Sequence, residues 1–272
     1  MVQKYKFYAD CGTCGASVEG NSLRGNQILK TMLDKIKVEE VLFLDIETVP
    51  GSESFERLEP SFQSLWEKKS KIFRQPVQSA GDVYERAGIY AEFGKIICIS
   101  VGIIKVKELS IIRLKSFFGD DEKALLGDFT DLVNKFSKLH RDAVLCAHNG
   151  KEFDFPYIAR RMIINRMVVP EILDNAGKKP WDVKLLDTMD LWKFGDYKNY
   201  TSLELLTFIL GIPTPKDDID GSMVAGIYYS EKDVERIARY CEKDVLAVAQ
   251  VLLRFMNLPP ISDDKIESVT FQ

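Results

Sequence analysis

A chain of 272 residues, 46% hydrophobic and 29% charged, can bury a proper core and has the make-up of a soluble globular protein. No apolar run approaches the roughly 18–20 residues that span a bilayer, so no membrane segment is expected. A net charge of −4 does not advertise a polyanionic partner, but weighs little against one, because local basic patches can coexist with an acidic centre. The first residues lack the apolar core of a secretion signal. Five cysteines, mostly in apolar settings, point to a reducing, cytoplasmic compartment rather than a disulfide framework.

Residues 1–31 are rich in Gly, Ser and Asn and lack sustained periodicity, so they read as a flexible extension, with Met32 as an alternative start. Their one motif, Cys11-Gly-Thr-Cys14, has no second Cys or His pair at a suitable spacing and makes a poor zinc site. VEEVLFLDI (38–46) reads as a buried strand. Residues 51–95 are polar and mixed, with patches that suggest short helices in a long insertion. Residues 95–106 and 109–118 form a strand-turn-strand signal. Residues 121–139 carry apolar side chains at helical spacing. AVLCAH (143–148) reads as a strand and 155–167 as a helix, with Pro156 tolerated in its first turn. A short strand and helix follow around Asp187, then a helix over 202–211 closed by Gly211. The last helix is expected to begin near Ser230 and to end before Leu258-Pro259-Pro260. This order predicts an α/β domain with a mixed sheet over 38–258, and a tail over 259–272.

The pattern Tyr-x-x-x-Asp occurs twice near the end, at Tyr229/Asp233 and at Tyr240/Asp244. About one such pair is expected by chance, so the pattern alone carries little weight. Ser230-Glu-Lys-Asp233 reads as a capping box, which makes Asp233 structural. Asp244 lies three turns further in and cannot be a cap. Its helix continues as an almost wholly apolar run, where an ionisable Asp is costly unless something pairs with it. That invites a metal and a search for further carboxylates.

Asp45 and Glu47 stand two apart at the end of the first strand and so share one face of the sheet. Side by side they raise each other's pKa unless a cation neutralises them; as a lone pair they could equally mark a strand terminus. Asp154, in Asn149-Gly-Lys-Glu-Phe-Asp154, lies at a strand-to-helix edge where open α/β sheets expose functional groups. A helix cap explains that position as well.

Asp45/Glu47, then Asp154 after Asn-Gly-x-x-Phe, then Tyr240-x-x-x-Asp244 together resemble the three motifs of the DEDD 3′–5′ exonucleases. The variant is the one with Tyr in the last motif, as in the proofreading domains of family B DNA polymerases. YTSLELLTFILGIPTPKDDIDG (200–221) is similar to the segment such domains carry before that motif. The position of the His in the alternative branch is occupied by Arg239, and His140 and His148 are the only histidines. The resemblance covers roughly residues 38–258, and a stand-alone polymerase-B-like exonuclease is the best match. It implies a ribonuclease H-like fold, a mixed five-stranded sheet flanked by helices.

The resemblance further implies that Asp45, Glu47, Asp154 and Asp244 hold two Mg²⁺ or Mn²⁺ ions about 3.5–4 Å apart, since all-oxygen ligands suit hard cations. Tyr240 would orient the attacking water, and nucleoside 5′-monophosphates would leave the 3′ end of single-stranded DNA. Thr48, Asn149, Lys151 and Phe153 are candidates for touching the strand. Arg160, Arg161, Arg166 and the Lys-rich 67–74 stretch are candidates for phosphate contacts. His148 would cap its strand or touch substrate. Asp187 is a further carboxylate that could support the site or merely start a helix, and Trp66 and Tyr90 in the insertion would lie over the groove or cover the sheet. RNA trimming by the same chemistry and a non-catalytic nucleic-acid-binding module are the alternatives.

Overall fold

The computed structural model describes residues 33–106, 111–179, 182–196, 198–213 and 219–272. The expected extension over 1–31, with Cys11 and Cys14, lies outside the described residues. Among the described residues no helix is long and apolar enough to cross a membrane.

The sheet runs β5-β4-β1-β2-β3-β6. Strand β1 (Val41–Pro50) is central and pairs antiparallel with β2 (Gly94–Lys105), which pairs antiparallel with β3 (Ile111–Phe118). On its other side β1 pairs parallel with β4 (Val144–Ala147), and β4 with β5 (Leu185–Asp187). Three antiparallel strands flanked by two parallel ones, with helices on both faces, form the expected ribonuclease H-like sheet. A sixth strand joins them: β6 (Ile266–Ser268) pairs parallel with β3. Its three residues are too short to show a period in the sequence, and the segment reads there as tail. Pairing covers an edge that β3 would otherwise present to solvent.

The elements follow the sequence reading closely, with differences at their ends. Residues 38–40 form a 3₁₀ turn, and β1 continues to Pro50 because Glu47, Thr48, Val49 and Pro50 all find partners on β2. The register slips between Glu47 and Thr48, which face Cys98 and Ile96. Such a bulge beside a strand end re-aims neighbouring side chains.

Alternation along β1 divides the core in two. Leu42, Leu44 and Ile46 pack under α2 (Glu122–Leu139) and α3 (Asp154–Ile164), whereas Val41 and Phe43 pack under the final helix, Val234–Phe255. Asp45 and Glu47 therefore lie on the face of the final helix. That helix sits close to the sheet at Gly102, where a β-carbon would stand 2.9 Å from Val245 Cγ1.

The insertion contains α1 (Pro60–Ser70) and a 3₁₀ stretch over Gly81–Ile89. Trp66 closes a small core of its own: it is fully buried, donates to the Ala80 carbonyl at 2.9 Å and meets Phe93 and Tyr84 edge-on. It is not a platform over a groove. Tyr90 stacks on Phe73, and Lys69 Nζ lies 4.4 Å from its ring centre. The insertion is fastened to the end of β1 through Gly51 N to Phe93 O (2.7 Å) and Ser52 N to the Tyr84 hydroxyl (3.3 Å).

Arg161, a candidate for phosphate, instead belongs to the core. It donates to Glu122 from Nε (2.8 Å) and Nη2 (2.5 Å) and to the Ala91 carbonyl from Nη1 (2.8 Å). Glu122, 8% exposed, also accepts from Ile96 N and Asn165 Nδ2. Removing one partner of a buried pair leaves the other charge uncompensated. Glu122→Ala is therefore expected to lower unfolding free energy by about 3–5 kcal/mol, read from the urea midpoint of the purified protein.

Candidate active site

Strand β4 pairs with β1 only as far as Phe43 and Cys146. Beyond that point the β4-facing edge of β1 is open, and the chain leaving β4 turns back across it. Asn149 supplies the turn with φ of 60°, a left-handed conformation that Asn tolerates better than most residues. Gly150 follows, where a β-carbon would collide with Ala147 and Phe155. The turn delivers Asp154 to the first residue of α3, 3% exposed, and its carboxylate accepts from its own amide and from the amide of Ile46 on the open edge of β1.

Asp187 fastens this turn. At the end of β5 it caps α4 (Thr188–Lys193) by accepting from Met189 N and Asp190 N, and it also accepts from Asn149 N (2.9 Å) and Lys151 N (3.0 Å). Both readings of this residue are thus met by one carboxylate, which starts a helix and supports the site. His148 is held at both ring nitrogens, by the Thr188 hydroxyl and the Thr201 carbonyl, each at 2.9 Å. It joins the turn to the segment before α5 (Leu203–Ile209) and belongs to the scaffold.

The final helix, α7 (Val234–Phe255), brings in Tyr240 and Asp244; the short α6 (Val224–Gly226) and a π-turn over Ile227–Glu231 precede it. The start differs from the expected capping box. Ser230 lies inside the π-turn, and Asp233 is itself the cap, accepting from Arg236 N at 3.0 Å. Tyr229 donates to the Pro50 carbonyl at 2.5 Å. The first Tyr-x-x-x-Asp pair is structural, as its sequence suggests, through different contacts.

Three chain segments thus bring Asp45, Glu47, Asp154 and Asp244 into one electrostatic neighbourhood. Asp45 is half-buried and Glu47 is 9% exposed. Burial pushes both carboxyls well above the usual range, and the charges of Asp154 and Asp244 push each further. Burial likewise raises Asp154 to about 7, with Asp187 and Asp244 adding to it and the two amide hydrogen bonds opposing. Tyr240 is driven upward by burial and then by Asp244, Glu47 and Asp45, and its hydroxyl hydrogen-bonds to the Asp244 carboxylate. A positive charge placed among these carboxylates would oppose the elevation.

One donor was not legible as part of the site. The Cys241 sulfur and a carboxylate oxygen from each of Asp45 and Glu47 lie within 4.8 Å of one another. Cys241 is fully buried and its sulfur lies 3.3 Å from Asp45 Oδ2 and 3.4 Å from the Asp45 carbonyl. Its position three residues before Asp244 was the available signal, since i and i+3 share a helix face.

The candidates for touching a strand surround this centre with different degrees of freedom. The Thr48 hydroxyl is engaged by Tyr157, whose own hydroxyl donates to the Gly88 carbonyl. Phe153 packs against the core and tilts onto Tyr157, with ring centres 5.3 Å apart. Lys151 is exposed and pairs with Asp190 at 3.3 Å. Asn149 Oδ1 is buried with no hydrogen-bond partner among the described residues. Arg160 and Arg166 are exposed.

A family model described as a predicted 3′–5′ exonuclease related to the exonuclease domain of PolB matches residues 89–268. The matched span contains Asp154, Tyr240 and Asp244 and begins after β1, so Asp45 and Glu47 precede it. Among solved structures, the chain is similar to the family B DNA polymerase from the hyperthermophilic archaeon Pyrobaculum calidifontis, at 18% identity and a TM-score of 0.46. The likeness covers 79% of this chain and 25% of the polymerase, so the chain spans a quarter of that protein's length. With the matched span taking in most of the sheet and two of the three acidic segments, the chain belongs to the family of predicted 3′–5′ exonucleases related to the exonuclease domain of PolB.

Proposed function

We propose that this chain removes nucleoside 5′-monophosphates from the 3′ end of single-stranded DNA, using Mg²⁺ or Mn²⁺ held by Asp45, Glu47, Asp154 and Asp244. The observation that carries the reading is the convergence of four carboxylates from β1, the start of α3 and α7, with Asp154 and Asp244 raising Asp45 and Glu47 and Asp244 raising Asp154. An all-oxygen set of this kind fits a hard divalent cation better than zinc. When bound, such cations supply Lewis-acid activation of water and neutralise charge developing at the phosphodiester.

The chain's own groups have distinct tasks in this reading. Asp45 and Glu47 present their carboxylates from a rigid central strand, so the site is fixed by the sheet rather than by a loop. Tyr240 keeps its proton, because burial and three nearby carboxylates oppose the phenolate. It therefore acts as a hydrogen-bond donor that orients a water or a phosphate oxygen beside Asp244, and not as a base. Asp187 holds the backbone of Asn149 and Lys151, leaving their side chains to meet the terminal nucleotide. Thr48 and Phe153 are proposed to bound the space for its sugar and base.

The test uses 5′-labelled single-stranded DNA and its RNA counterpart with Mg²⁺ or Mn²⁺. Shortening from the 3′ end, lost with EDTA and in an Asp45→Ala/Asp244→Ala double variant, is the expected result on DNA. Preference for the RNA strand would reassign the substrate, and binding without shortening of either strand would overturn the enzymatic reading. Tyr240→Phe is expected to lower kcat about 10²-fold or more while leaving cation affinity within about twofold, since it removes only a positioned donor.

Cation affinity should also depend on pH with a defined sign. Asp154 releases its proton at about 7 in the cation-free protein, and a cation competes with that proton. Affinity for Mn²⁺ is therefore expected to weaken as pH falls through about 7. Calorimetric titrations between pH 6 and 8 would check this, and a flat profile would contradict the assignment of Asp154 as a ligand.

A further inference from the structure

We propose that Cys241 is a positioning residue that sets the cation affinity of this site by holding the Asp45 carboxylate. The inference rests on the cation-site reading given above. Asp45 is held from α7 by a side-chain donor: the Cys241 thiol reaches Oδ2 at 3.3 Å and the Asp45 carbonyl at 3.4 Å. A carboxylate on a strand can otherwise rotate about two torsions, and each wrong rotamer subtracts from the population competent to bind. A thiol held at one oxygen fixes the rotamer and leaves the other oxygen available. A bound cation needs that orientation in advance, in the way that ligating groups are oriented by hydrogen bonds from the layer behind them.

The thiol is itself immobile. Cys241 lies in the third turn of α7, fully buried among Val49, Ile97, Ile237 and Ala238. Cys98, which faces Glu47 across the β1–β2 ladder, is its other side-chain partner. Cys98 continues to Ser100 (3.6 Å), Ser100 to Ser116 (2.7 Å) and Ser116 to Glu242 (3.0 Å), where Thr270 also donates (2.7 Å). A line of small polar side chains thus runs through the sheet from the C-terminal segment to Asp45. The Cys241 sulfur lies within reach of both the Asp45 carboxylate and the Asp45 carbonyl, so one thiol spans the side chain and the backbone of the same residue.

The test compares Cys241→Ser, which keeps a donor, with Cys241→Val, which keeps the volume and loses it. Mn²⁺ dissociation constants are measured on the full chain by electron paramagnetic resonance of the free ion, at one pH and without nucleic acid. Thermal midpoints report the fold, and Cys241→Ala replaces the valine variant if that variant does not fold. The expected result is about tenfold weaker Mn²⁺ binding in Cys241→Val and Cys241→Ala, the lower end of what loss of such an orienting contact costs. Cys241→Ser is expected to stay within about threefold of the natural protein. Equal weakening in the serine and valine variants would assign the effect to packing and overturn the inference, as would unchanged binding in all of them. Failure of the natural protein to bind Mn²⁺ would instead overturn the site reading, and the inference with it.

Discussion

The constraint on which this molecule turns is the repulsion among four carboxylates gathered in one partly buried place. Isolated in a core, each would be neutralised by taking up a proton, and Asp154 at about 7 is already near that condition. Burial and neighbouring carboxylates raise Asp45, Glu47 and Asp154. Elsewhere in the chain Glu122, equally buried, is met by Arg161 and Asn165. The contrast is between an acid neutralised by a guanidinium and carboxylates held by neutral donors, the Cys241 thiol on Asp45 and two amides on Asp154. The surrounding fold holds them together against that repulsion.

That fold does so with little local freedom. Asp45 and Glu47 ride on a strand paired along its whole length with β2, so their spacing is set by the pleat. Asp154 is placed because β4 stops at Ala147 and leaves an amide of β1 open, and the carboxylate takes that amide. The missing ladder partner and the placement of Asp154 are thus one feature: had β4 run on beside β1, Ile46 would have bonded to backbone and Asp154 would have lost its anchor. Asp187 then stabilises the turn from the other side, accepting from two amides of the turn and two at the start of α4.

The sequence was most informative where a requirement repeats with a short period or a fixed spacing. The strand alternation through Asp45 and Glu47, the turn before Asp154 and the helical face of Tyr240 and Asp244 are all local, and the structure has them as read. Contacts that depend on distant segments were not legible. Arg161 reads as an exposed base on an amphipathic helix, and only the fold shows Glu122 reaching it from α2. Trp66 reads as an aromatic in a polar insertion, and only the fold shows that the insertion has its own core. β6 is too short to announce itself and exists because β3 has an edge to cover. Cys241 was hidden for a different reason: a small apolar-looking residue on a buried helix has an obvious packing role, and nothing nearby in the sequence says that its neighbour is Asp45, 196 residues away in the chain.

The two Tyr-x-x-x-Asp pairs are connected by more than resemblance. Helix α7 must present Tyr240 and Asp244 to β1, and a helix turns about 100° for every residue by which its register slips. Its register is fixed at the start by the first pair. Tyr229 is tied to the Pro50 carbonyl at the end of the strand that carries Asp45 and Glu47, and Asp233 closes the first turn. Between them the chain makes a π-turn and a left-handed Lys232, φ 59°, which accommodates a residue that an ordinary helix would not. Tyr228 secures the same turn from the other side by accepting from Lys95 and donating to Asp120, each at 2.6 Å. Were the π-turn to relax to α-helical geometry, α7 would rotate and Asp244 would leave the carboxylate cluster while every apolar residue of the helix lost its place in the core. The first pair therefore aims the second, and both ends of that coupling lie on β1.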